Sequence, residues 1–99
     1  MKLIRVAKEE LQIVTQPTNQ TAAFGEMFCA TVEAKDEGLK YQWYFRNAGS
    51  SKWYKSSVRD NTYDDVMTKT RANREVYCVI TDAYGNQIIT DVIKLELSK

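Results

Sequence analysis

Apolar and polar side chains alternate along most of this chain with a period of two, the spacing of strands that turn one face to a core. In residues 27–34, Phe28, Ala30, Val32 and Ala34 alternate with Met27, Cys29, Thr31 and Glu33. In residues 39–46, Leu39, Tyr41, Trp43 and Phe45 alternate with Lys40, Gln42, Tyr44 and Arg46. Val76, Cys78 and Ile80 share a face of the segment EVYCVITD, and Ile93, Leu95 and Leu97 share one of VIKLEL. Those four segments predict strands. Shorter ones are predicted in LQIVTQ, in TAAF, in KWYKS and within NTYDDVMTK. Pro17 lies between the first two; it has no N–H for a ladder, so it marks a place where an edge strand breaks and resumes. Between Ile88 and Ile93 the apolar parity changes, which predicts a β-bulge near Thr90 to Val92. Turns are predicted at FGE, KDEG, NAGSS and AYGN. Seven or eight short strands without a helical period predict an all-β sandwich or small barrel. Residues 1–10 fit a strand, a helical turn or a tail equally well, and are read as an N-terminal extension or first-strand segment ahead of a domain over residues 11–99.

The chain has 99 residues, enough for one domain. A domain of this size buries roughly two-thirds of its unfolded surface and holds together without a staple. With 14 Lys+Arg against 13 Asp+Glu, the net charge of +1 supplies no basic field for nucleic acid. No apolar run approaches the roughly 18 residues of a membrane span. Charges at Lys2 and Arg5 interrupt the start before a secretory apolar region forms, so the protein is expected either to stay inside the cell or to be a module cut from a longer chain.

The order Cys29, Trp43, Cys78, with YQWY on the third strand and YCVITDAYGN entering the last hairpin, resembles an immunoglobulin-like domain. More narrowly, QPTNQTAAFGE, VEAKDEGLKYQWYFRNAGSSKWYKS and CVITDAYGN resemble the bacterial immunoglobulin-like repeats of Gram-positive surface proteins, over about residues 11 to 97. The resemblance implies an immunoglobulin-like β-sandwich of two antiparallel sheets, with seven to eight strands and Greek-key connections. It implies an extracellular, cell-surface location in adhesin-like proteins, beads of neighbouring domains, a monomer and no catalysis. Similar folds are appended to phage structural proteins. Under this pattern Trp43 is a core anchor between the sheets, with Tyr41, Phe45, Val32 and Cys78 around it. A cross-sheet disulfide needs both thiols on inner faces. Cys78 is in phase with Val76 and Ile80, but Cys29 shares parity with Met27, Thr31 and Glu33, so two free thiols are expected, Cys78 buried. The tyrosine corner of the pattern does not carry over, because Val76 stands two places before Cys78.

Candidate chemistry is sparse. The chain has no histidine, which removes triads built on that base, and two well-separated cysteines do not make a zinc site. The four glycines are scattered among turns, so no phosphate-binding loop is present. Asp60, Asn61, Asp64 and Asp65 are hard oxygen ligands of the type calcium takes, without the spacing of an EF-hand. Asp64 and Asp65 are also the candidate acid/base pair of a small glycosidase, which would need a deep cleft. No cofactor and no metal are expected. Exposed aromatics are the remaining candidates: Tyr44, Trp53, Tyr54 and Tyr84 as a surface for glycan or host protein. Against this stands a structural role, with Trp53 folded over the hairpin edge and Tyr44 a cross-strand partner. The expected function is a structural spacer, with a recognition module as the alternative and a small enzyme as the third reading.

Overall fold

A computed structural model describes residues 11–98. The reading of residues 1–10 lies outside the described residues. The chain is all-β: β1 Gln12–Thr15, β2 Gln20–Ala23, β3 Met27–Thr31, β4 Glu33–Lys35, β5 Lys40–Arg46, β6 Tyr54–Lys55, β7 Thr62–Val66, β8 Arg74–Thr81, β9 Gln87–Ile89 and β10 Ile93–Ser98. The larger sheet runs β2-β10-β8-β5-β6, with β9 also on β8. Two antiparallel pairs, β1-β4 and β3-β7, complete the structure. Only Val32 separates β3 from β4, and its N–H bonds to the Asn61 carbonyl at 3.0 Å, so the two pairs continue one another.

Ten segments stand where seven or eight were predicted: three strands are interrupted, the first at a break already read as two segments. The first breaks around Pro17: β1 pairs with β4, while β2 joins β10 in parallel. The second breaks at Val32. The third breaks over residues 90–92, where the predicted change of parity falls. There Thr90 turns its side chain inward; its Oγ1 accepts from the Cys78 N–H at 2.8 Å, while its own N–H donates to the Cys78 carbonyl at 2.9 Å. A side chain thus replaces a ladder bond that the irregularity removes. KWYKS yields only two strand residues, Tyr54 and Lys55, which pair with Phe45 and Tyr44.

One buried cluster joins the inner faces: Phe28, Ala30 and Val32 from the broken strand, Tyr63 and Met67 from β7 and beyond, Trp43, Val76, Cys78, Ile80, Ile93 and Leu95 from the larger sheet. Trp43 is fully buried; its ring lies 5.6 Å from Tyr63 and its Nε1–H donates to the Asp60 carbonyl at 2.7 Å. Tyr41 and Phe45 are half-buried and pack against the cluster from its margins, not from its centre. Phe45 is near the end of the sheet, where the Arg74 guanidinium, 4.2 Å from its ring centre, closes that end of the core. Arg74 is itself buried, bonded through Nε to Asn47 Oδ1 and through a terminal nitrogen to the Tyr63 hydroxyl.

Both cysteines are free. Cys29 is exposed and pairs across the ladder with Asp64, while Cys78 is buried opposite Trp43. Burial pushes the Cys78 thiol up to about 12, against a smaller opposing effect of a backbone hydrogen bond from Gln42. The thiolate is the reactive species, so a neutral, buried thiol is inert. In native protein at pH 8, iodoacetamide is therefore expected to modify Cys29 alone, and Cys78 only after urea unfolding. Mass spectrometry of the labelled peptides reads this; equal labelling of the two in the native state would contradict it.

Candidate functional site on the outer face of the larger sheet

The alternation that sends Trp43 inward sends its neighbours Tyr44 and Arg46 to the opposite face, and the partner strand does likewise with Glu75 and Tyr77. Register then decides which of them meet. Tyr44 is directly opposite Tyr77, and the two rings stack with centroids 5.2 Å apart and planes 15° from parallel. Trp53, arriving from the turn before β6, sets its ring edge-on to Tyr77 at 4.8 Å. The Arg46 guanidinium then lies 4.6 Å from the Trp53 ring centre. Arg46 is opposite Glu75 and forms an ion pair with it, its Nε donating to Glu75 Oε1 at 2.9 Å. The result is a continuous row, Glu75–Arg46–Trp53–Tyr77–Tyr44, half-buried throughout.

Of the candidate binding aromatics, the structure brings together Tyr44 and Trp53 only. Tyr54 pairs with Phe45 across the ladder and so belongs to the opposite face; it is 43% exposed, stacked on Phe45 at 5.7 Å with the Lys52 ammonium 5.4 Å from its ring. Tyr84 stands in the β8–β9 turn, with its hydroxyl donating to Glu37 at 3.3 Å. Four residues that looked like one surface are therefore spread over three places. Tyr77, Arg46 and Glu75 were missed, although parity alone puts Tyr77 on the outward face; only the register of β5 against β8 shows that it completes the row.

The aspartates do not converge. Asp64 and Asp65 are consecutive in β7, so they point to opposite sides of the sheet. Asp64 is exposed opposite Cys29, whereas Asp65 pairs with Arg71 at 3.1 Å and accepts from the Val66 N–H at 2.8 Å. Asn61 is tied through Nδ2 to the Val32 carbonyl, and Asp60 engages Trp43 through its backbone oxygen. Among the described residues no group of three or more acidic, His or Cys side chains is placed to hold a metal ion. The calcium ligands and the acid/base pair weighed as minor candidates in the sequence are thus not brought together by the described side chains. No helix among the described residues is long and apolar enough to cross a membrane.

Beside the Arg46 end of the row lies an open groove of about 540 Å³, walled by Arg46, Asn47, Asn73, Glu75, Lys94 and the turn over residues 48–51. The turn is closed by the Ser50 N–H donating to the Asn47 carbonyl at 3.0 Å.

No family model matches the chain, and no curated protein matches it. Among solved structures it is similar to the crystal structure of β-1,2-glucanase from Parabacteroides distasonis, at 14% identity and a TM-score of 0.53. The match covers 90% of this chain and 14% of that one, so the likeness is one of fold over a small part of the glucanase.

Proposed function

We propose that this chain is a non-enzymatic, immunoglobulin-like sandwich with Greek-key connections, serving as a rigid spacer among neighbouring domains of a longer bacterial surface or adhesin-like protein. The observation that carries this reading is the closed row on the outer face. Tyr44 and Tyr77 stack on one another, Trp53 meets Tyr77 edge-on, and Arg46 lies over Trp53. Ring faces that would stack on a sugar are engaged within the protein, where such contacts stabilise a sheet. Two further observations support it. The first strand divides its pairing between β4 and β10, and the inner faces of the larger sheet and the β3-β7 pair share one core, as in an immunoglobulin-like sandwich. A match over 90% of this chain but 14% of a solved one suits a module carried in a larger protein.

The test uses the same aromatics. Trp53→Ala is expected to lower stability by about 1 to 2.5 kcal/mol, the sum of an aromatic pair and a cation–π contact, in urea unfolding followed by circular dichroism. Neutral cell-wall glycans are expected to leave the amide resonances of Tyr44, Trp53, Tyr54 and Tyr84 unmoved. Concentrated shifts at those residues, with a Trp53→Ala variant as stable as the parent, would replace the spacer by a recognition module.

A further inference from the structure

A spacer does not account for the groove beside Arg46. Its volume of about 540 Å³ falls in the range of roughly 300 to 1,000 Å³ typical of small-ligand sites. Its walls, however, are polar: two amides, two serine hydroxyls, one carboxylate and two cations, with Ala48 the apolar exception. Several are already held in place. Arg46 is fixed between the Glu75 carboxylate and the Trp53 ring. Asn47 Oδ1 accepts from the Arg74 Nε–H at 2.9 Å, which fixes the amide and leaves its NH2 group to offer. Asn73 holds a left-handed backbone conformation, φ 60°, anchored by its N–H on the Leu95 carbonyl at 2.7 Å. An asparagine tolerates that conformation at small cost.

The charges do not balance. Arg46 and Lys94 bring two cations and Glu75 one anion, a net of +1 at the groove. Lys94 is directly across the ladder from Glu75, yet the carboxylate is taken by Arg46, and the Lys94 ammonium forms no ion pair among the described residues. An anionic group is what this wall lacks. The same walls carry both donors and acceptors on short side chains, which suits hydroxyl groups, each of which donates and accepts.

We propose that this groove binds a carboxylate-bearing sugar, a hexuronic acid residue of an acidic glycan. Its carboxylate meets the Lys94 ammonium, and its ring hydroxyls meet the Asn47 and Asn73 amides and the Glu75 carboxylate. An acidic peptide fits less well: it lacks the ring hydroxyls that would both donate to Glu75 and accept from the Asn47 and Asn73 amides, and the walls offer no apolar pocket for its other side chains. The aromatic row is not a stacking platform in this arrangement; it holds Arg46 still.

The experiment is an amide NMR titration of the labelled chain with digalacturonate, its methyl ester and a hexaglutamate peptide. Digalacturonate is expected to shift residues 46–51, Asn73, Glu75 and Lys94 with a Kd near ~1 mM, the ester and the peptide at least about fivefold more weakly. Lys94→Gln is expected to weaken digalacturonate by about fivefold, the factor of an exposed charge pair, while its resonances elsewhere superimpose on the parent's. Raising the salt should weaken binding in the parent and leave the variant nearly unchanged. No shifts at these residues with digalacturonate, an ester or peptide that binds equally well, or a Lys94→Gln variant with full affinity would each overturn the proposal.

Discussion

Trp43→Ala is expected to destabilise the protein by about 3 to 5 kcal/mol, against the ordinary total of roughly 5 to 15 for a domain. Three losses combine. The side chain is fully buried, so its removal leaves a large cavity among residues held by two layers of strand, which collapse only partly. Its contact with Tyr63 spans the two layers and is lost with it. The Asp60 carbonyl also loses the indole N–H that satisfies it at 2.7 Å. Trp43→Phe retains most of the volume and should cost less, the difference reporting the hydrogen bond and the remaining void. Urea unfolding followed by circular dichroism measures both. A loss below about 1 kcal/mol for the alanine variant would mean that the side chain is not the plug between the layers.

Gly38→Ala is expected to cost about 2 to 5 kcal/mol, a large effect for one methyl group on an exposed turn. Gly38 has φ +64°, a conformation that costs a residue with a Cβ roughly 1 to 2 kcal/mol. A Cβ there would also stand 2.7 Å from the Ala83 Cβ and 3.3 Å from its Cα, which adds overpacking of about 1 to 3 kcal/mol. Ala83 cannot retreat easily. Its N–H donates to the Glu37 carbonyl at 2.9 Å, and the turn it belongs to is closed by Asp82, whose Oδ1 accepts from the N–H groups of Tyr84 and Asn86 at 2.9 Å each. Burial raises the Asp82 pKa, but hydrogen bonds from the Asn86 side chain and from those two backbone N–H groups, with a side-chain interaction with Asp36, outweigh it and hold it at about 2, so the clasp is intact at neutral pH. Gly49→Ala is the control. It shares the positive φ, at 80°, but nothing lies within 4 Å of its added Cβ, so the conformational cost alone should appear. Equal losses at the two positions would show that the approach of Ala83 to Gly38 does not matter.

The alternation in residues 27–34, 39–46, 75–82 and 92–97 determined the strands, the faces they turn to the core and the outward position of Cys29, because side-chain direction in a strand is local geometry, although Leu97, in phase with Ile93 and Leu95, is exposed at the end of its strand. Break points were legible for the same reason: Pro17 has no N–H to give, and the parity change before Ile93 demands an irregularity. Function was less legible. Tyr44, Trp53, Tyr54 and Tyr84 look alike in sequence, and adjacent aspartates look like a pair until the strand sends them to opposite sides. Whether Tyr44 is free or stacked depends on Tyr77, 33 positions later, and whether Lys94 is paired depends on which partner Glu75 takes. Those are facts of register between strands distant in the chain, and period-two patterning carries no information about them. The sequence by itself thus determined which residues face in and which face out. The tertiary structure alone decided which outward residues meet, because the larger sheet draws β5, β8 and β10 together across long separations; it made a closed aromatic row of one set of side chains and a charged groove of the set beside it.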